Sequence, residues 1–133
     1  MHDLKAVKEK LSSCKVLIVD DEEDIRNVIT QTFESFFSEV VCAVDGQDAL
    51  EKFTQEGPFD MILTDISMPN LTGIELVTEI RLIDKEVFIV IMSGAFDDYQ
   101  QEFPKDEQHI NKPFTFAETI GLLVKLIEHK NID

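Results

Sequence analysis

Short apolar runs alternate with amphipathic stretches along most of this chain. The runs predict five strands, at residues 16–19, 40–44, 61–63, 87–92 and 109–111. The first run, from Val16 to Val19, is continuous and rich in β-branched residues, which is typical of a strand buried on both faces of a sheet. A sheet with a core on each side is therefore expected.

The stretches between the runs predict helices, because their apolar residues recur every three or four positions. These helices extend from Ile25 to Phe37, with Val28 in the apolar stripe, from Gly46 to Phe53, from Ile74 to Ile80, within residues 95–108, and from Thr115 to Ile127. In residues 95–108 the spacing of the aromatic side chains allows about two turns before Pro104. Thr115 and Glu118 form a capping-box pattern at the start of the last helix.

Residues 1–13 differ from the rest of the chain. Leu4, Val7 and Leu11 follow helical spacing, and three lysines make this stretch locally basic. We expect a helical N-terminal extension or linker over residues 1–13, followed by one domain over residues 14–130.

Strands that alternate with helices are expected to pair in parallel, because a helix must carry the chain back to the start of the sheet. Right-handed crossovers then place helices on both faces of one open α/β sheet. In such sheets ligands bind outside the carboxyl ends of the strands. A functional site is therefore expected at the carboxyl ends of the strands.

Composition excludes several classes of protein. The chain has 133 residues, enough for one domain, and its net charge is −15, from 12 basic and 27 acidic residues. A protein with this much negative charge repels nucleic-acid phosphates and anionic lipids. Neither direct nucleic-acid binding nor membrane insertion is therefore expected. The longest apolar runs are far shorter than a membrane span, no secretory signal is visible, and Cys14 and Cys42 fit reduced thiols of a cytoplasmic protein.

Polar residues stand at four of the predicted strand ends. They are Asp20 and Asp21, Asp65, Ser93, and Lys112. Carboxylates that converge in one cleft repel each other, and a hard cation such as Mg²⁺ relieves that repulsion. The ammonium of Lys112 could hold an anion beside the metal. Taken singly, each residue has another interpretation: a helix cap for Asp20 or Asp21, a turn for Asp65 or Ser93, and a solvated surface cation for Lys112.

In combination, these motifs closely resemble the receiver domain of two-component response regulators. The matching segments are residues 16–21 (VLIVDD), Asp45-Gly46, residues 63–69 (LTDISMP), Gly73, Met92-Ser93-Gly94, and Lys112-Pro113-Phe114. Their order and spacing also fit, over roughly residues 14–130. The resemblance implies a flavodoxin-like three-layer sandwich with a five-stranded parallel sheet in the order 2-1-3-4-5.

The resemblance also implies roles for individual residues. Asp65 would accept a phosphoryl group from a sensor histidine kinase or a phosphotransfer protein. Asp20, Asp21, Asp65 and the backbone carbonyl of Ser67 would hold Mg²⁺. Lys112, followed by a cis bond to Pro113, would pair with phosphoryl oxygens, as phosphoryl transfer requires positioning and charge neutralisation.

Ser93 and residue 109 would form the switch that changes the surface bound by a downstream protein. Receivers usually carry Tyr or Phe at the second of these positions, whereas this chain carries His109. Imidazole is smaller and titrates near neutral pH, so this position departs from the family. Apart from its own phosphorylation and slow autodephosphorylation, such a domain would turn over no outside substrate.

Two other functions remain open from the sequence. A degenerate receiver would bind partners without phosphorylation, and His109 is compatible with that alternative. A haloacid-dehalogenase-like phosphatase would also use an aspartate nucleophile with Mg²⁺, but it needs a second Asp where this chain has Ser67. Since the chain ends at Asp133, just after the last helix, we expect a stand-alone receiver or the receiver piece of a larger protein such as a hybrid kinase.

Overall fold

The computed structural model describes residues 3–94 and 106–132, which form five strands and five helices. In chain order the elements are α1 (Leu4–Leu11), β1 (Lys15–Val19), α2 (Glu23–Glu34), β2 (Glu39–Ala43), α3 (Gly46–Glu56), β3 (Met61–Asp65), α4 (Gly73–Ile83), β4 (Phe88–Ser93), β5 (Gln108–Asn111) and α5 (Phe116–His129). Within the described residues, no helix is both long and apolar enough to cross a membrane. The helix expected within residues 95–108 falls mainly on residues 95–105, which lie outside the described residues.

The five strands form one parallel sheet in the order β2-β1-β3-β4-β5, which confirms the predicted fold. Strand β3 is central, and β1 lies between β2 and β3 and pairs with both. Because every strand runs in the same direction, all five carboxyl ends lie along one edge of the sheet. That edge carries Asp20, Asp65, Ser93 and Lys112.

Two hydrophobic cores lie on opposite faces of the sheet. Val16 and Ile18 of β1 pack with α1, α2 and α5, whereas Leu17 and Val19 pack with α3 and α4. This alternation follows from the two-residue period of a strand. The expectation that β1 is buried on both faces is confirmed.

Side-chain caps fix the starts of α3, α4 and α5 near the carboxyl edge, whereas α2 has no side-chain cap. Thr115 accepts a hydrogen bond from the backbone N–H of Glu118, and the Glu118 side chain accepts one from the N–H of Thr115, so the predicted capping box is confirmed. Thr72 and Glu75 form a second capping box at α4. These caps stabilise the helices and hold fixed the loops that precede them.

Details of two predicted elements are wrong. The apolar stripe predicted for α2 includes Val28, but 65% of Val28 is exposed. The second strand is predicted to end at Val44, but β2 ends at Ala43, and Val44 is exposed. The stripe of α2 is narrower than predicted, with Ile29 and Phe33 buried. The helix ends at Glu34, so the buried side chains of Phe36 and Phe37 belong to the turn after it.

Helix α1 packs against the domain. Its Val7 and Leu11 are buried in the same core as α5, and the Nζ atom of Lys8 lies 5.6 Å from the ring centroid of Phe36. Burial of two apolar side chains and a cation–π contact anchor this helix to the rest of the chain.

Candidate functional site

The predicted site residues lie where the chain leaves the sheet. Asp20 directly follows β1, Asp65 is the last residue of β3, and Ser93 is the last residue of β4. Lys112 directly follows β5, and its backbone N–H donates to the carbonyl of Ser93 at 2.7 Å. Because β1, β3, β4 and β5 are consecutive in the sheet, these ends form one continuous cleft floor.

Three carboxylates converge in this cleft. One oxygen from each of Asp20, Asp21 and Asp65 lies within 4.8 Å of the other two. Asp20 is fully buried and Asp65 is 4% exposed, while Asp21 is open to solvent. The Oδ1 atom of Asp20 accepts a hydrogen bond of 2.9 Å from the backbone N–H of Glu22. The Oδ2 atom of Asp20 takes no part in that bond and faces Lys112.

The ammonium of Lys112 lies between the two buried carboxylates. Its Nζ atom is 3.4 Å from Oδ2 of Asp20 and 3.3 Å from Oδ2 of Asp65. The Lys112–Pro113 peptide bond is cis, as the family resemblance implied. The structure therefore brings together residues that are 92 positions apart in the sequence.

The electrostatics of the cluster are unbalanced. Burial raises the pKa of Asp65 to about 6, the Lys112 charge acts against this rise, and the Asp20 charge adds to it. Burial alone would lower the pKa of Lys112, but Asp65 and Asp20 outweigh it and raise that pKa. One ammonium cannot neutralise three carboxylates, and a cluster of hard oxygen donors with excess negative charge fits a divalent cation such as Mg²⁺.

Ser93 is buried, and its hydroxyl donates to Oδ1 of Asn111 at 3.3 Å. These residues are aligned in the register between β4 and β5. Sequence reasoning missed Asn111, whose only signal was its position directly before Lys112. The contact gives the Ser93 hydroxyl a partner other than the carboxylate cluster.

The loop after β3 carries Ser67, whose side chain is exposed. The loop closes through a hydrogen bond of 2.9 Å from the N–H of Gly73 to the carbonyl of Ile66. A Cβ on Gly73 would lie 2.3 Å from the carbonyl oxygen of Asp65, so only glycine fits at this position. The first residue of α4 thus packs directly against the backbone of Asp65.

His109 lies apart from the carboxylate cluster, two residues before the end of β5. His109 is largely exposed on the edge strand. The part of its ring that is removed from water lowers its pKa, and the negative charge of Glu107 partly offsets that shift. By the alternation of a strand, His109 and Glu107 point to the same face as α4. There Glu107 accepts two hydrogen bonds of 2.6 Å from Arg81.

A cavity of about 520 Å³ opens beside the cluster, between α2 and the segment that links β5 to α5. Lys112 and Pro113 line one part of it, and Ile25, Val28 and Phe116 line another. Both Val28 and Phe116 are exposed. Sequence reasoning missed this groove because the apolar pattern assigned Val28 to the core.

Comparisons with known proteins agree with this geometry. Residues 16–123 match the family model of the response regulator receiver domain. The chain is 32% identical over 123 residues to the transcriptional regulatory protein PrrA of Mycobacterium bovis, covering 90% of this chain and 52% of the relative. It therefore spans about half the length of that relative.

Two further relatives are matched over nearly their whole length. Sporulation initiation phosphotransferase F of Bacillus subtilis is 31% identical over 120 residues, which cover 88% of this chain and 96% of that protein. The response regulator protein TrrA of Thermotoga maritima, solved in complex with Mg(2+)-BeF, is 32% identical with a TM-score of 0.74, over 85% of this chain and 98% of that one. The chain thus belongs to the receiver domain family of two-component response regulators.

Proposed function

We propose that this receiver domain is switched by phosphorylation of Asp65, with the phosphoryl group supplied by a phosphohistidine of a sensor histidine kinase or a phosphotransfer protein. Membership of the receiver family makes the chain a signalling module. The observation that carries the proposal is the pair of buried carboxylates, Asp20 and Asp65, that share one ammonium, from Lys112.

Mg²⁺ would be held by the carboxylates of Asp20, Asp21 and Asp65 and by the backbone carbonyl of Ser67. The excess negative charge of the cluster supports this assignment, and so does the Mg(2+)-BeF complex of the Thermotoga relative. When bound, the ion neutralises charge on the carboxylates and on the incoming phosphoryl oxygens.

The transfer forms one bond and breaks one. A carboxylate oxygen of Asp65 attacks the phosphorus, the P–N bond to the donor imidazole breaks, and the imidazole leaves with the electron pair and takes up a proton. Lys112 already lies 3.3 Å from Oδ2 of Asp65, so its ammonium is in place to pair with phosphoryl oxygens. Water that later attacks the phosphorus would regenerate the Asp65 carboxylate and reset the switch.

The switch begins at Ser93 in this proposal. In the structure its hydroxyl donates to Asn111, so donation to a phosphoryl group on Asp65 requires that bond to break. A change at Asn111 is passed along β5 to His109, two residues earlier on the edge strand. A downstream protein would read the altered surface on that side of the sheet.

A small phosphodonor tests the proposal. Acetyl phosphate with Mg²⁺ should add one phosphoryl group by intact mass, and Asp65→Asn should abolish the adduct because the amide is not a nucleophile. Asp106→Asn, which changes an exposed carboxylate, is the matched control and should keep the adduct.

Each alternative predicts a different result from the same experiment. A folded wild-type protein that takes up no phosphoryl group would indicate a degenerate receiver. Repeated turnover of a phosphate ester would indicate a phosphatase. An adduct that persists in Asp65→Asn would contradict the assignment of the nucleophile.

A further inference from the structure

The loop from Ile66 to Thr72 contains an uncommon backbone conformation at Asn70. Its φ is +70°, in the left-handed region that few residues other than glycine adopt. The N–H of Leu71 donates to the carbonyl of Pro69 at 2.8 Å, so Asn70 stands at the centre of a γ-turn with positive φ, which is a strained form. Such strain persists only where the surrounding structure holds it.

The side chain of Asn70 supplies one of the contacts that hold the turn. Its Nδ2 atom donates to Oδ2 of Asp45 at 2.9 Å. The other oxygen of Asp45 accepts from the backbone N–H of Asp48 at 2.7 Å and so caps α3. The cap orients the carboxylate and lowers the pKa of Asp45, with a smaller contribution from Asn70. Asp45 thus joins a helix start to the loop.

Close backbone packing holds the loop at two other points. A Cβ on Gly46, the first residue of α3, would lie 2.1 Å from the carbonyl oxygen of Leu71. At the far end, Gly73 packs against the carbonyl of Asp65. The loop that carries Ser67 is therefore fixed against α3 on one side and β3 on the other.

We propose that Asn70 and Asp45 are positioning residues that hold this loop in its metal-binding conformation before the metal arrives. The proposal rests on the function proposed above, in which the carbonyl of Ser67 is a ligand. A loop that is already ordered loses less conformational entropy when it binds, so affinity rises without any new contact to the ion. Neither side chain needs to touch the metal.

Two substitutions separate this role from general stability. Asn70→Gly keeps the positive φ without strain but removes the amide donor. Asp45→Ser keeps a good helix cap but removes the second oxygen that Asn70 contacts. Each variant should bind Mg²⁺ more weakly. Its dissociation constant, measured by calorimetry, should rise about two- to tenfold, which is the range expected for the loss of one hydrogen bond. The double variant should bind Mg²⁺ no more weakly than the weaker-binding single variant, because both substitutions remove the same contact.

Hydrogen exchange without Mg²⁺ provides a second readout. The amides of Ser67, Met68 and Leu71 should exchange faster in Asn70→Gly than in the wild-type protein, since the loop has lost a contact. Asn70→Asp, which places a carboxylate opposite Asp45, should show the same change and bind Mg²⁺ no better than Asn70→Gly. Equal exchange rates in the wild-type protein and both variants would contradict the proposal.

Asn131→Gly is the matched control. Asn131 is the other non-glycine residue with positive φ in the described part of the chain, at +55°, and it follows α5 at a distance from the site. This variant should keep the wild-type Mg²⁺ affinity. Thermal melts establish that each variant folds, and if Asn70→Gly does not fold, Asp45→Ser carries the comparison.

The outcomes distinguish the two proposals. If wild-type protein neither binds Mg²⁺ nor accepts a phosphoryl group, the proposed function is wrong and the positioning role is wrong with it. If wild-type protein binds Mg²⁺ and the folded variants bind it equally well, only the positioning role is overturned.

Discussion

Gly73→Ala should disturb the site through the backbone alone. The added Cβ would lie 2.3 Å from the carbonyl oxygen of Asp65 and 2.8 Å from the Cα of Ile66. Ordinary contacts between such atoms begin near 3.4 Å. Either α4 or the end of β3 must therefore move by about 1 Å, and both are packed in the core.

The expected cost follows from that displacement. Overpacking of a tightly packed site costs about 1–3 kcal/mol, and the better helix propensity of Ala recovers at most about 1 kcal/mol. For a domain of this size, a net loss of about 1–2 kcal/mol lowers the midpoint of thermal unfolding by roughly 3–10 °C. Because the clash involves the carbonyl of Asp65, the rate of phosphorylation by acetyl phosphate should fall as well.

Gly121→Ala is the matched control for this prediction. Gly121 lies inside α5, and a Cβ there would meet no atom within 4 Å. This substitution should stabilise the domain by about 0.5–1 kcal/mol and leave phosphorylation unchanged. Urea unfolding measures both variants. If Gly73→Ala is as stable as the wild-type protein, the reasoning from backbone contact is refuted.

Three other predictions follow from the contacts described above. Mg²⁺ at ten times its dissociation constant should stabilise the domain by about 1.4 kcal/mol. In thermal melts, Asp21→Ala should gain less stability from Mg²⁺ than the wild-type protein. Coincident melts of wild-type protein with and without Mg²⁺ would count against the metal site. Arg81→Met should cost about 1–3 kcal/mol in urea unfolding, because it leaves the buried carboxylate of Glu107 without its partner. The double variant Arg81→Met with Glu107→Leu should recover most of that loss. No recovery would mean that the ion pair is not the cause. Leu11→Ala should lower the free energy of unfolding by about 2–5 kcal/mol because Leu11 is fully buried. Leu4→Ala, at an exposed position of the same helix, should lower it little. Equal small losses in urea unfolding would show that α1 is not anchored.

Local patterns in the sequence were sufficient for the class of fold and for the elements that lie within the described residues. A strand with two buried faces requires a continuous apolar run, and Val16 to Val19 shows it. A capping box requires two residues three positions apart, and Thr115 with Glu118 satisfies it. The order of the strands came from the family resemblance, because alternating strands and helices alone allow several orders.

The candidate site was predictable as a set of strand ends. Asp20, Asp21, Asp65 and Lys112 each follow or close a strand, and parallel strands bring such residues to one edge. Distances, burial and the raised pKa of Asp65 depend on how the sheet packs, so they required the tertiary structure. The local pattern could not show that Lys112 lies between two buried carboxylates.

Other features depended on tertiary packing from the start. Val28 follows the helical spacing of a core residue, yet it faces a groove because α5 does not cover that flank of α2. The contact between Asn70 and Asp45 joins two loops that are 25 positions apart, and no periodicity connects them. The spacing of apolar residues along the sequence indicates which face of an element is apolar. The partner of a polar side chain depends on which segments the fold brings together.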